Sequence, residues 1–243
     1  MWYNSAEKSL KKPQKTAIFW AKKDERMKKY TCLLWDLDGT LTLSHPGIFN
    51  CMRYALEKMG KPQPTEEELG LCIGPPLDWS FETVFGLTHE EGQRAIEYYR
   101  ERYEVAGWEE NDPVEGAYES LQALKKAGYK MALATSKPMH YAVKIIEKFG
   151  FSQFLTYEYE PIRPGYEPKK KDMIEKGIAL LNATKEECLM IGDRKYDIQG
   201  AREANVDVAA LDVGYAAEGE FVEFPPDVYF KDFAELTKAL INR

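Results

Sequence analysis

Cys32-Leu33-Leu34-Trp35-Asp36-Leu37-Asp38-Gly39-Thr40-Leu41-Thr42 places two carboxylates two residues apart where an apolar, strand-forming run ends. Successive side chains of a strand point to opposite faces, so this spacing aims Asp36 and Asp38 the same way. Two like charges at one strand end repel and are costly to strip of water, unless a cation lies between them or one holds a proton for transfer. The pattern points to a metal-assisted active site. An Asp-Gly turn closing a strand is also ordinary in globular chains, so the decision rests on the remainder of the chain.

Three further signals come in order, each beyond an apolar run. Residues 129–133 lead into Ala134-Thr135-Ser136-Lys137, the cluster Lys169-Lys170-Lys171 comes next, and residues 188–190 lead into Ile191-Gly192-Asp193-Arg194-Lys195-Tyr196-Asp197. An aspartate pair, a hydroxyl, a lysine and a second acidic pair in that order resemble the haloacid dehalogenase superfamily, and more narrowly its phosphatases related to phosphoglycolate phosphatase. The resemblance covers residues 28–243 and includes the phrase Ile73-Gly74-Pro75-Pro76-Leu77.

Composition agrees with a soluble enzyme. A chain of 243 residues with 44% hydrophobic content can bury a full core, as one large domain or two modest ones. No apolar stretch approaches the roughly 20 residues that cross a bilayer. Cys32, Cys51, Cys72 and Cys188 are scattered, without zinc-type spacing and with no secretory signal before them, as expected of reduced thiols in a cytoplasmic protein. The net charge of −7 divides unevenly: residues 1–29 carry +6 and the remainder −13. The acidic body argues against nucleic acid as a partner. The basic arm lies outside the resemblance, lacks a clear amphipathic repeat and is expected to be a solvated extension dispensable for catalysis, with Met27 an alternative start.

Beyond the arm, elements alternate. A strand is expected at 30–35, a helical block from about 46 to 108, then helix 116–127, strand 129–135, helix 139–149, strand 155–159, helix 170–181, strand 188–191, helix 198–204, strand 206–211 and helix 233–241. In the helical block Ile48, Met52, Ala55, Leu56 and Met59 form one apolar stripe, and Ile96, Tyr99 and Tyr103 another. Strands alternating with helices give an α/β fold, a doubly wound, Rossmann-like parallel sheet covered on both faces. Ligands of such sheets bind beyond the carboxyl ends of the strands, where all four motifs fall. The expected division is a basic extension over 1–28, an α/β core over 29–44 and 113–243, and an inserted all-helical cap over 45–112.

The resemblance implies a mechanism that the residue types can support. Asp36 would attack phosphorus and form an aspartyl phosphate, while Asp38 would protonate the leaving alcohol and later take a proton from water. A carboxylate facing a phosphate dianion needs a divalent cation, and hard oxygen ligands without Cys or His point to Mg²⁺. Family resemblance assigns the metal to the Asp36 carboxylate, the Asp38 backbone carbonyl and Asp193; for Asp197 a metal role and a helix cap both stand. Thr135 and a lysine would hold the phosphoryl oxygens. The pattern Lys-x-Asp-hydrophobic-Ile selects Lys170, ahead of Asp172-Met173-Ile174, with Lys169 and Lys171 as rivals, because the more frequent Lys-Pro-x-Pro form is absent.

Ser136 and Lys137 would touch the leaving group, and Arg53 on the first helix of the block could meet an anionic one. His45 lies at the hinge, where it could contact substrate although a surface residue is the default, in a stretch lacking the acidic residue that similar proteins often carry there. The expected activity is Mg²⁺-dependent hydrolysis of a small phosphorylated metabolite such as phosphoglycolate, a nucleoside monophosphate or a sugar phosphate, by a monomer or homodimer without membrane or nucleic-acid partners. The alternatives are a phosphomutase of the β-phosphoglucomutase type and a non-catalytic phospho-ligand binding module. A dehalogenase is disfavoured, since it needs neither Asp38 nor a metal.

Overall fold

Strand β1, Cys32–Trp35, is buried along its whole length at the interior of a five-stranded sheet in the computed structural model, which describes residues 27, 29–158 and 169–242. With β4 (Lys130–Leu133), β5 (Cys188–Gly192), β6 (Asp207–Leu211) and β7 (Val228–Phe230) it forms a parallel sheet in the order β4-β1-β5-β6-β7. Continuous apolar runs are what a strand covered on both faces requires. Alternation divides β1 cleanly: Leu33 and Trp35 join one core layer, Cys32 and Leu34 the other. Helices α5 (Ala117–Lys126), α6 (Met139–Lys148) and α10 (Phe233–Ile241) supply the first layer, and α7 (Lys170–Leu181) and α8 (Lys195–Ala204) the second. Trp35 is fully buried, its ring centroid 6.0 Å from that of Phe233, and truncating it would cost about 3–5 kcal/mol.

Between β1 and α5 lies the helical cap: α1 (His45–Lys58), α2 (Glu66–Leu71), α3 (Leu77–Trp79) running into a π-turn at Ser80–Val84, and α4 (His89–Arg102) running into a second π-turn at Tyr103–Gly107. Thr65 with Glu68 and Thr88 with Glu91 form capping boxes that start α2 and α4, each satisfying two otherwise orphaned amides. Met52, Ala55 and Leu56 pack against Ile96, Tyr99 and Tyr103 in a separate core. The chain enters and leaves the cap through an antiparallel pair, β2 (Thr42–Leu43) with β3 (Asp112–Pro113).

One expected element changes. The segment expected as a strand at 155–159 is a single bridge from Thr156 to Ala132, with Tyr159 outside the described residues. Its length defeats it, because one bridge does not build a ladder. The three-residue β7 and the short helix α9 (Glu220–Glu223) were not expected at all. The basic extension over 1–28 lies outside the described residues except for Met27, which is buried in the first core layer. All four cysteines are buried and free, and no helix among the described residues is long and apolar enough to cross a membrane.

Candidate active site

At the carboxyl ends of β1 and β5, Asp36, Asp193 and Asp197 each offer a carboxylate oxygen, and these atoms lie within 4.8 Å of one another. The arrangement follows from chain geometry. The Asp36 amide donates to Ile191 O at 3.0 Å, extending the ladder one residue past β1 and carrying its side chain to the sheet edge. Asp193 follows β5 directly, and Asp197 stands in the first turn of α8, where its Oδ2 accepts from the Arg194 amide at 3.1 Å.

Each carboxylate has a built environment. Asp193 accepts from Thr40 Oγ1 at 3.0 Å and from the Tyr215 amide at 2.7 Å. It lies between two glycines. A Cβ on Gly39, whose φ is +86°, would stand 2.3 Å from Asp193 Oδ2, and one on Gly214 would stand 2.2 Å from the same atom. Lys170 Nζ reaches Asp36 Oδ1 at 2.7 Å and Asp197 Oδ1 at 2.9 Å, and donates to Ala134 O at 3.4 Å. Lys170, not its exposed neighbour Lys169, therefore enters the cluster. Gly200 of α8 makes the room, since a Cβ there would stand 2.5 Å from Lys170 Cγ.

Burial pushes the Asp36 carboxyl up to about 6, with Lys170 opposing the rise and Asp197 adding to it. Burial, then the Asp197 charge, raises the Asp193 carboxyl well above its usual range. Burial alone would lower the Lys170 ammonium; Asp197 and Asp36 outweigh it and raise the group. Three buried carboxylates around one ammonium leave an excess of negative charge in a pocket of hard oxygen donors. This donor set fits a divalent cation such as Mg²⁺.

The strand has ended by Asp38. Amides of Thr40, Leu41 and Thr42 all donate to Leu37 O, so the chain turns instead of continuing as a strand. The Asp38 carboxylate stands outside the three-carboxylate group and pairs with Lys137 Nζ at 2.8 and 3.1 Å. Thr135 is buried at the end of β4, its Oγ1 accepting from the Lys137 amide at 3.1 Å; Ser136 is exposed. Lys137 Nζ lies 5.0 Å from the centroid of the Tyr103 ring, joining the core to the cap. Arg53 is not brought to the cluster, because its guanidinium is held at the surface by Glu66.

Sequence reading missed Tyr215, whose Oη takes the His45 amide at 3.0 Å and lies 3.3 Å from His45 Nδ1. It also missed the side chains of Arg194 and Glu220. The available signal for Tyr215 was position alone: it follows the end of β6, the same sheet edge that carries Asp36 and Asp193.

The sequence signature of the haloacid dehalogenase-like hydrolases matches residues 33–211. The chain is 34% identical over 212 residues to a 5'-nucleotidase of Pseudomonas aeruginosa, covering 87% of this chain and 96% of that one. It is 32% identical to the pyrophosphatase PpaX of Halalkalibacterium halodurans, covering 84% and 94%. A haloacid dehalogenase-like hydrolase of Streptococcus pneumoniae, SP0104, superposes with a TM-score of 0.79 at 27% identity, covering 86% of this chain and 97% of that one. With the acidic cluster, the parallel sheet and the inserted helical cap, these matches show that the chain belongs to the haloacid dehalogenase-like hydrolases and is one of that family's phosphatases.

Proposed function

We propose that the protein is a Mg²⁺-dependent phosphatase that hydrolyses a small phosphomonoester through an aspartyl phosphate on Asp36. The observation that carries this reading is the convergence of Asp36, Asp193 and Asp197 on one buried point with Lys170 among them. Asp36, Asp193, Asp197 and the Asp38 carbonyl would hold the metal, which when bound supplies positive charge against the phosphate. Lys170 and the Thr135 hydroxyl bind the phosphoryl oxygens and offset the charge that builds on them.

An Asp36 oxygen attacks phosphorus, the bond to the leaving oxygen breaks, and Asp38 gives that oxygen its proton. Water then attacks the phosphoenzyme, its proton passes to Asp38, and phosphate leaves with Asp36 restored. The Lys137 pair holds the Asp38 side chain at its post. Residues 29–44 and 113–243 form the catalytic core in this reading and 45–112 the cap that selects the leaving group. Nucleoside monophosphates are the first substrate class to test, supported by the relative named for 5'-nucleotidase activity. The test is phosphate release from a panel of phosphorylated metabolites with and without Mg²⁺. Release that is unchanged by chelation, or no release from any member, rejects the reading.

A further inference from the structure

Arg194 stands between two carboxylates of the cluster, and its two ends do different work. Its backbone amide donates to Asp197 Oδ2 at 3.1 Å. Its side chain leaves the cluster and crosses to the cap, where Nη1 donates to the carbonyl of Ile73 at 2.7 Å. The guanidinium is aimed there by Glu220, a buried carboxylate that accepts from Arg194 Nε at 3.1 and 3.3 Å and from the Lys195 amide at 2.6 Å. The next residue closes the contact: a Cβ on Gly74, whose φ is +104°, would stand 3.0 Å from the Tyr196 ring. Cap residues 73 and 74 thus rest on the loop that presents Asp193 and Asp197.

We propose that Arg194 is a positioning residue that couples closure of cap residues 73–76 to the placement of the acidic cluster. The proposal deepens the phosphatase reading and rests on it. Its logic is asymmetric anchoring. Glu220 and Arg194 both belong to the core and form a buried, charge-assisted pair, so the guanidinium is oriented before the cap arrives. The cap contributes only a backbone carbonyl, so the contact reads the shape of the 73–76 turn and not a side chain that could swing away. When the cap closes, the Arg194 side chain engages the turn while its amide still holds Asp197, and substrate enclosure is registered within one residue of Asp193. A substrate with a large leaving group depends on that enclosure; a small aryl phosphate depends on it less.

The test compares the full-length protein with Arg194→Met, Arg194→Lys and Glu220→Gln. Amide exchange is followed at 77–80, where the Ser80 amide donates to Pro76 O, and at β5 as the internal reference. Arg194→Met is expected to speed exchange at 77–80 by at least about fivefold with β5 unchanged. Its kcat/KM for a nucleoside monophosphate should fall about tenfold further than that for phenyl phosphate, mainly through KM. Arg194→Lys, which keeps the charge but replaces the planar fork by a single ammonium nitrogen, should fall between wild type and Arg194→Met, and Glu220→Gln should shift the same readouts in the same direction.

Unchanged exchange at 77–80 overturns the proposal. So does exchange that rises equally in β5, which marks general loosening, or a loss of rate equal for both substrates. If the wild-type protein releases no phosphate at all, the phosphatase reading fails on its own, and the exchange arm still decides whether Arg194 holds the cap.

Discussion

On the core side of the cleft each carboxylate of the cluster is held by a named donor, with Asp197 Oδ1 met only by the Lys170 ammonium at 2.9 Å, whereas in the cap Tyr103 Oη and both amide atoms of Asn111 are buried without a hydrogen-bond partner. Tyr103 is only 3% exposed. A buried polar atom left unpaired costs about 1–3 kcal/mol, so the two walls differ in a quantity that can be measured. The core wall is preorganised for one chemistry. The cap wall keeps polar capacity in reserve: burial first, and then the charge of Asp38, raises the Tyr103 hydroxyl above its usual range. If the proposed function holds, the difference places reaction and recognition on separate polypeptide segments with separate degrees of finish.

The largest test of the core wall separates the two leading aspartates. Asp36→Asn should lose turnover by more than about a thousandfold and show no trapped phosphoenzyme, because the attacking oxygen and a metal ligand go together. Asp38→Asn keeps both and loses the proton donor and base, so with an activated aryl phosphate it should accumulate an adduct of about 80 Da by acid-quench mass measurement. An adduct on the Asp36 variant instead would reverse the assignment.

Next in size is Gly214→Ala. The new Cβ would stand 2.1 Å from Gly39 O and 2.2 Å from Asp193 Oδ2, so Asp193 must move. Activity should fall by about a hundredfold, the magnesium concentration at half-saturation should rise, and stability should drop by about 1–3 kcal/mol. Wild-type magnesium dependence in this variant would show that the glycine cradle does not set the cluster.

The cap wall answers to Tyr103→Phe. Removing an unpaired hydroxyl should leave stability equal or raise it by up to about 1 kcal/mol in a denaturant titration, while ratios of kcat/KM among phosphoesters shift by about three- to thirtyfold. A loss of stability above about 1 kcal/mol would mean that the hydroxyl is satisfied in the folded protein, and the contrast between walls would collapse.

The smallest effect belongs to a satisfied pair far from the cleft. Burial would raise the Asp207 carboxyl, but hydrogen bonds from Lys29 and Tyr30 outweigh it and hold it below the usual range. A depressed carboxyl contributes stability above the unfolded value, lost as pH falls through the folded one. Asp207→Asn should therefore cost under about 1 kcal/mol at neutral pH, since the pair is partly exposed, and nothing once both proteins are acidified below that range. An equal cost at both ends of the titration would assign the effect to packing.

The sheet was legible because its strands are buried on both faces and read as unbroken apolar runs, as in residues 32–35 and 188–191. Strand 155–159 failed for the converse reason: its apolar residues pack into the first core layer without a ladder to join. Within the site, Asp36 and Asp193 were legible from their places after apolar strands. Lys170 was selected by pattern with two rivals left standing, since the room it occupies is made by the absent side chain of Gly200 on another helix, thirty positions away in sequence. Arg194 and Glu220 were opaque for the same reason, because their pairing joins loops that no local periodicity connects. Asp38 sits where period-two alternation ends, because Leu37 O collects three amides, a turn that strand spacing alone does not describe.

The β2–β3 pair has a consequence for how such a chain can be rebuilt. Leu43 lies opposite Asp112, so the two points where the chain leaves and re-enters the core are already neighbours across one rung of a hairpin. Sixty-eight intervening residues hang from a junction that a two-residue turn would bridge. Lengthening an insertion between fixed, adjacent ends adds little closure entropy. The helical segment is thus a cassette: one of different length or sequence could be exchanged at Leu43 and Asp112 without altering the register of any strand in the main sheet.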